Sequence, residues 1–150
     1  MKLAVGSDER TGLTDSVVKE LAERGMEIQL YGALVPGDDA RWPEVARKVA
    51  EEVSSGHCQQ GILFCWTGTG VTMAANKVPG VRAALCTDAE TARGARLWND
   101  ANVMCMSLRL TSPQVASEVI DAWSSTTAID DTERANIDLV NRMDGLRGGS

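Results

Sequence analysis

The stretch Gly61–Arg82, GILFCWTGTGVTMAANKVPGVR, constrains the chain more than any other. A short apolar run, Gly61–Cys65, leads into a Gly/Thr-rich turn, Trp66-Thr67-Gly68-Thr69-Gly70. A helical pattern follows over Val71–Lys77 and stops at Pro79-Gly80. Buried strand, glycine turn and helix in that order form the sequence signature of an anion cradle. Glycine lets backbone N–H groups approach a ligand closely, and a helix N-terminus adds partial positive charge. The thiol of Cys65 falls at the end of the strand, beside that positive pole. In an open parallel sheet, ligands bind outside the C-terminal ends of the strands.

The rest of the chain repeats the alternation. Lys2–Gly6 reads as a buried strand running into the polar loop 7–12. Thr14-Asp15 is placed to cap a helix that reaches about Arg24 and is stopped by Gly25. Met26–Tyr31 is β-rich, and 32–40 is a loop. Trp42-Pro43 starts a second helix with the apolar stripe Val45, Ala46, Val49, Ala50 and Val53. After the central stretch come a short strand at 82–86, a helix from the Asp88 cap to about Leu97, a strand at 102–106 and a helix at 113–123. A last helix is expected over about 132–143, with a frayed tail at 145–150. Five alternations predict an α/β fold: a doubly wound, Rossmann-like, five-stranded parallel sheet in one domain over 1–150. The last helix has no strand after it and is expected to pack on a partner subunit.

Composition excludes several function classes. A net charge of −6 without a basic arm argues against nucleic acid as a partner. No run approaches the roughly 18 apolar residues of a membrane span, and Met1-Lys2 leads into too short an apolar run for a signal peptide. The four cysteines (58, 65, 86, 105) show no Cys-x-x-Cys spacing and there is one histidine, His57, so neither a metal nor another cofactor is expected. Reduced thiols and the lack of a leader point to the cytoplasm.

Each motif also has a plainer explanation. The glycine turn lacks the Gly-Lys-Ser/Thr ending of a phosphate-binding P-loop. Gly68-Thr69-Gly70 supplies only half a dinucleotide fingerprint, so a small phosphorylated or carboxylated ligand fits better; a simple tight turn is the alternative. Cys65 is either a buried strand cysteine or, beside a helix N-terminus that lowers a thiol pKa from ~8.5, a base for proton abstraction. Asp8 follows the first strand as Cys65 follows the third, on the same rim of the sheet. There it either binds sugar hydroxyls or serves the loop. Asn99-Asp100 reads equally as turn and cap.

These residues resemble the ribose-5-phosphate isomerase B / galactose-6-phosphate isomerase family. The likeness rests on Gly6-Ser7-Asp8, Cys-x-Thr-Gly-x-Gly at 65–70, Ala74-Ala75-Asn76-Lys77 with Pro79-Gly80, Arg82–Cys86 and Asn99-Asp100-Ala101-Asn102-Val103. It spans roughly residues 1–125. The resemblance implies a metal-free aldose–ketose isomerase working through a cis-enediolate, in a homodimer or homotetramer with sites at the subunit interface. By position, Cys65 would move the proton between C1 and C2, and Thr67 would assist at the substrate oxygens. The backbone of Gly68, Thr69 and Gly70 would hold the enediolate oxygen. Asp8 and Asn99 would bind hydroxyls, and Arg109 the phosphate.

The departures are specific. Where the family usually has His after the first-loop Asp, this chain has Glu9. The ring-opening His before Asn-Asp is Trp98, and the Gly after the cysteine is Trp66. Trp42 stands where an aromatic precedes the proline of helix two. Two phosphate-binding arginines of the last helix correspond to Thr132 and Asn136, with Arg134 nearby. The base and the oxyanion cradle are kept, while the ring opener and most of the phosphate clamp are not. A substrate that needs no ring opening, such as a tetrose phosphate or another open-chain sugar, would tolerate the loss of the histidine. The alternative is a catalytically impaired sugar-binding or partner subunit of the same fold; a thiol hydrolase is disfavoured because no Cys–His pair is evident.

Overall fold

The structure is a computed structural model that describes residues 1–147. Five strands and six α-helices alternate: β1 (Lys2–Ser7), α1 (Gly12–Glu23), β2 (Glu27–Gly32), α2 (Trp42–Ser54), β3 (Gln60–Cys65), α3 (Thr69–Ala75), β4 (Ala83–Leu85), α4 (Ala89–Asn99), β5 (Val103–Ser107), α5 (Pro113–Ser125) and α6 (Arg134–Arg142). The strands form one parallel sheet in the order β2-β1-β3-β5-β4. This is the expected Rossmann-like architecture.

Local chemistry sets the helix starts. Thr11 and Thr14 form a capping box, Thr14 N–H to Thr11 Oγ1 at 3.3 Å and Thr11 N–H to Thr14 Oγ1 at 2.9 Å. The first helix therefore begins one turn before the expected Thr14-Asp15 cap, because Thr14 faces inward and closes the box from N3. Asp88 caps α4 by accepting from Thr91 N at 2.7 Å, and Ser112 caps α5 from Val115 N at 3.1 Å, ahead of Pro113.

The sheet is covered on both faces. Leu13, Val17 and Leu21 of α1, Ala92 and Ala95 of α4, and Val119, Ile120 and Trp123 of α5 pack on Leu3, Val5, Ile62, Phe64, Met104 and Met106. The α2 stripe and Val71 and Ala75 of α3 pack on Ala4, Leu63, Cys65, Val103 and Cys105 of the opposite face. Neighbours along each strand thus serve alternate cores. Phe64 and Leu63 are fully buried, each worth about 1.5–3 kcal/mol.

The chain reverses direction across the sheet between β1 and β3. From β1 it moves outward to β2, then returns past β1 to β3 and continues the other way. The C-terminal ends of β1 and β3 therefore flank the crevice where open α/β sheets bind ligands.

After α5 a 3-10 turn, Asp131–Glu133, leads into α6. Ile137 of α6 is buried against its own chain, where Arg82 Nη1 donates to Asn141 Oδ1 at 3.0 Å and Gly80 N to Asp144 Oδ2 at 2.8 Å. Leu139, Val140 and Met143 remain about half exposed. Of the tail expected at 145–150, residues 145–147 complete a second 3-10 turn, Met143–Arg147, and 148–150 lie outside the described residues. No helix among the described residues is long and apolar enough to cross a membrane.

Candidate active site

Cys65 closes β3 opposite Ser107 of β5 and is 5% exposed. The two loops that follow these strands are tied together. Leu108 N–H donates to Cys65 O at 3.0 Å, and Arg109 N–H to Trp66 O at 3.0 Å. The Ser107 hydroxyl donates to Trp66 O at 2.9 Å and accepts from Leu110 N–H at 3.0 Å. The carbonyls just after Cys65 are thus consumed on the β5 side.

Gly68 then turns the chain in the left-handed region, φ 77°. A Cβ there would come within 2.6 Å of Leu85 Cδ1 and 3.0 Å of the Met106 carbonyl carbon, so only glycine fits. Its carbonyl accepts from Thr72 Oγ1 at 2.6 Å. Among the described residues, the N–H groups of Gly68, Thr69 and Gly70 meet no protein acceptor. These are the orphan donors of a helix start. Because α3 is only seven residues long, the cradle rests on these aligned amides more than on a macrodipole. Thr67 and Thr69 are exposed and share a hydroxyl–hydroxyl contact of 2.7 Å.

β1 delivers Asp8 to the same rim. Its N–H donates to Phe64 O at 3.4 Å, which sets it alongside the residue before Cys65. Asp8 Oδ1 is enclosed and has no hydrogen-bond partner among the described residues. Burial, with Glu9 next to it, holds the Asp8 carboxyl above the usual carboxylate range, opposed only by its own backbone amide. Glu9 is exposed, and its N–H bonds the Ser7 hydroxyl at 3.2 Å. Trp42, the first residue of α2, packs on Gly70, while Trp66 stands exposed beside Cys65. Arg109 is exposed on the same rim, and no ion pair among the described residues engages its guanidinium.

Other expected site residues lie elsewhere in the chain. Trp98 and Asn99 end α4 just before β5, next to Gly61, whose N–H donates to Asn102 O. That is the opposite end of β3 from Cys65, about 13 Å of strand away. Trp98, Asn99 and Asn136 line a cavity of about 420 Å³ together with Arg82 and Glu133. Thr132, in the 3-10 turn before α6, bonds Asp130; in the first turn of α6, Arg134 pairs with Asp131 at 3.3 Å and Asn136 bonds Glu133 at 3.0 Å. One copy therefore gathers Asp8, Glu9, Trp42, Cys65–Gly70 and Arg109, and carries the second group of residues at a distance.

His57 also lies before β3, exposed and 3.7 Å from Glu52. Cys58, Cys86 and Cys105 are buried, and burial pushes the Cys86 and Cys105 thiols up to about 12. Among the described residues, no group of three or more His, Cys, Asp or Glu side chains is placed to hold a metal ion. Sequence reasoning missed Ser107, whose signal is a lone hydroxyl ending an apolar strand on the Cys65 rim. It also missed the structural use of Asn76, which brackets Ala83 with Nδ2 to O at 2.9 Å and N–H to Oδ1 at 2.8 Å.

Known proteins resemble this chain in sequence and in fold. Residues 3–140 match the family described as Ribose/Galactose Isomerase. A protein named Ribose-5-P isomerase B from Listeria innocua is 34% identical over 96% of this chain and 97% of its own length. A D-erythrulose-4-phosphate isomerase from Pectobacterium atrosepticum is 36% identical over 82% of each chain. The structure of Clostridium thermocellum ribose-5-phosphate isomerase B superposes with a TM-score of 0.91 at 32% identity, covering 99% of this chain and 100% of that one. On sequence and on fold alike, the chain belongs to the ribose/galactose isomerase family.

Proposed function

We propose that the protein is an aldose–ketose isomerase acting on a small sugar phosphate by metal-free proton transfer through a cis-enediolate. The observation that carries this is the juxtaposition of Cys65 with the unclaimed amides of Gly68–Gly70 at the reversal point of the sheet. A proton alpha to a carbonyl needs a base on one face of the carbon and preorganised donors at the oxygen. The Cys65 thiolate is the base, and the amides receive the developing enediolate oxygen. Thr67 donates at the substrate oxygens, Asp8 holds a hydroxyl, and Arg109 meets the anionic group by a charge-assisted bond. Glu9, Trp42 and Trp66 shape the entrance.

The substrate is one that needs no ring opening. Trp98 stands where the resemblance places the ring-opening histidine, so that position supplies no proton carrier to a furanose ring oxygen. A four-carbon sugar whose 4-oxygen is esterified cannot close such a ring. The relative named for D-erythrulose 4-phosphate supports that size class. In this reading two copies complete one site: Trp98 and Asn99 of one copy, with Thr132, Arg134 and Asn136, reach the Cys65 rim of the other. The same reading has the enzyme working in the cytoplasm, where its thiols stay reduced.

A panel of erythrose 4-phosphate, ribose 5-phosphate and galactose 6-phosphate, followed by NMR for ketose formation, tests the proposal. Turnover of the tetrose phosphate, with the ring-forming sugars slower, is expected. Binding of these sugars without turnover of any would instead identify a sugar-binding subunit.

A further inference from the structure

Moving a carbonyl from C1 to C2 transfers two protons, one between carbons and one between oxygens. Cys65 accounts for the first. For the second, the Thr67 hydroxyl is a poor carrier: its ordinary acidity is far from that of an enediol, and it is already in contact with Thr69 Oγ1 at 2.7 Å. Asp8 is differently placed. Its loop adjoins the end of β3 through Asp8 N–H to Phe64 O, so it emerges beside Cys65 on the ligand-binding rim. One carboxylate oxygen, Oδ1, is enclosed with no donor supplied by the described residues. The loop carboxylate of Asp38, by contrast, accepts from Gly32 N–H at 2.7 Å.

From this geometry we infer that Asp8 is a catalytic residue, the shuttle that carries the proton between the C2 and C1 oxygens of the substrate. The inference rests on the isomerase reading above. The steps balance with no other reactant. Asp8 starts as a carboxylate, accepting a hydrogen bond from the C2 hydroxyl. Cys65 thiolate takes the C2 proton, and the electron pair moves through C1 to leave a negative C1 oxygen held by the Gly68–Gly70 amides. Asp8 takes the C2-hydroxyl proton and delivers it to the C1 oxygen. The C2 oxygen then forms the new carbonyl, C1 takes the proton back from the Cys65 thiol, and thiolate and carboxylate are both restored.

The electrostatics suit this role. Desolvation and the Glu9 charge raise the basicity of Asp8, which narrows the gap to an enediol proton. The nearby cations are engaged elsewhere: Arg10 of the same loop pairs with Asp15 at 2.9 Å, and Lys48 of α2 with Asp38 at 2.6 Å. From β3 the titratable neighbour is Cys65, and from the β5–α5 loop Arg109, neither of which contributes to the Asp8 shift.

The test separates the two proton transfers in the Asp8→Asn variant, which keeps size and polarity but cannot carry a proton. The substrate is erythrose 4-phosphate in deuterium oxide, observed by NMR. Deuterium exchange at C2 of the recovered aldose reads the Cys65 step, and ketose formation reads the whole reaction. Ketose formation is expected to fall about 100-fold or more with KM nearly unchanged, while C2 exchange persists within about 10-fold of wild type. Equal loss of both signals would make Asp8 a binding group only, and full ketose formation would remove it from the chemistry; either overturns the inference. Absence of exchange in the wild-type enzyme with every sugar tried would refute the isomerase reading itself, a distinct outcome.

Discussion

The six-membered ring of the Trp42 indole lies so close over Gly70 that a Cβ at that position would come within 3.1 Å of its Cε3 atom. The first residue of α2 therefore braces the first turn of α3, across the face that holds Cys65. Gly70→Ala should displace the ring, which is 43% exposed and free to yield. The expected result is a small change in Tm and a fall in kcat/KM of about 10-fold or more, since modest misplacement of reacting groups is costly. Thermal melts and initial rates on one preparation check this.

Gly68→Ala should be far worse. A left-handed alanine costs about 1–2 kcal/mol and the contacts with Leu85 and the Met106 backbone add about 1–3 more. At about 2–4 °C per kcal/mol for a chain of this size, Tm should drop roughly 5–15 °C, with activity lost in the soluble fraction.

Ser107→Ala removes the hydroxyl that joins Trp66 O to Leu110 N–H. Trp66 O keeps its bond from Arg109 N–H and both residues are more than half exposed, so only about 0.5–1.5 kcal/mol of stability should be lost. The expected signature is a lower kcat at nearly constant KM, because the loop that follows Cys65 loosens. Denaturant midpoints and kinetics measure the two effects separately.

Alkaline stability follows from the buried thiols. Cys86 and Cys105 sit at about 12 in the folded protein against 9.0 for a free thiol. Between those values the unfolded chain releases protons that the folded chain keeps, so stability is intact below pH 9 and declines as pH rises towards 12. Each thiol contributes a slope of up to ~1.4 kcal/mol per pH unit in that window. Melts from pH 8 to 10.5 should show the decline, and Cys86→Ala should flatten it relative to wild type.

Most of the fold was legible in the sequence because each strand is a short β-rich apolar run and each helix a 3.6-period stripe. The α2 stripe from Val45 to Val53 is buried as its spacing requires. The Thr11–Thr14 box was misread because two threonines three apart are each plausible caps, and only the burial of Thr14 decides between them. The rim holding Asp8, Cys65 and Gly68 was also legible, since it follows from strand ends alone. Trp98 and Asn99 lie at the other end of the sheet, as their position just before β5 requires, because a helix that feeds a parallel strand ends at that strand's N-terminal edge. What could not be read was the cross-loop role of Ser107, whose partners Trp66 and Leu110 are fixed only by strand pairing.

The account turns on Cys65 as the base, and Cys65→Ser tests it most directly. The measurement is the rate of deuterium uptake from solvent into erythrose 4-phosphate and its ketose, alongside Tm. The account predicts that uptake falls by about 1,000-fold, at the strong end of what one acid–base group contributes, while Tm stays within a few degrees. Uptake at the wild-type rate in the folded variant would contradict it.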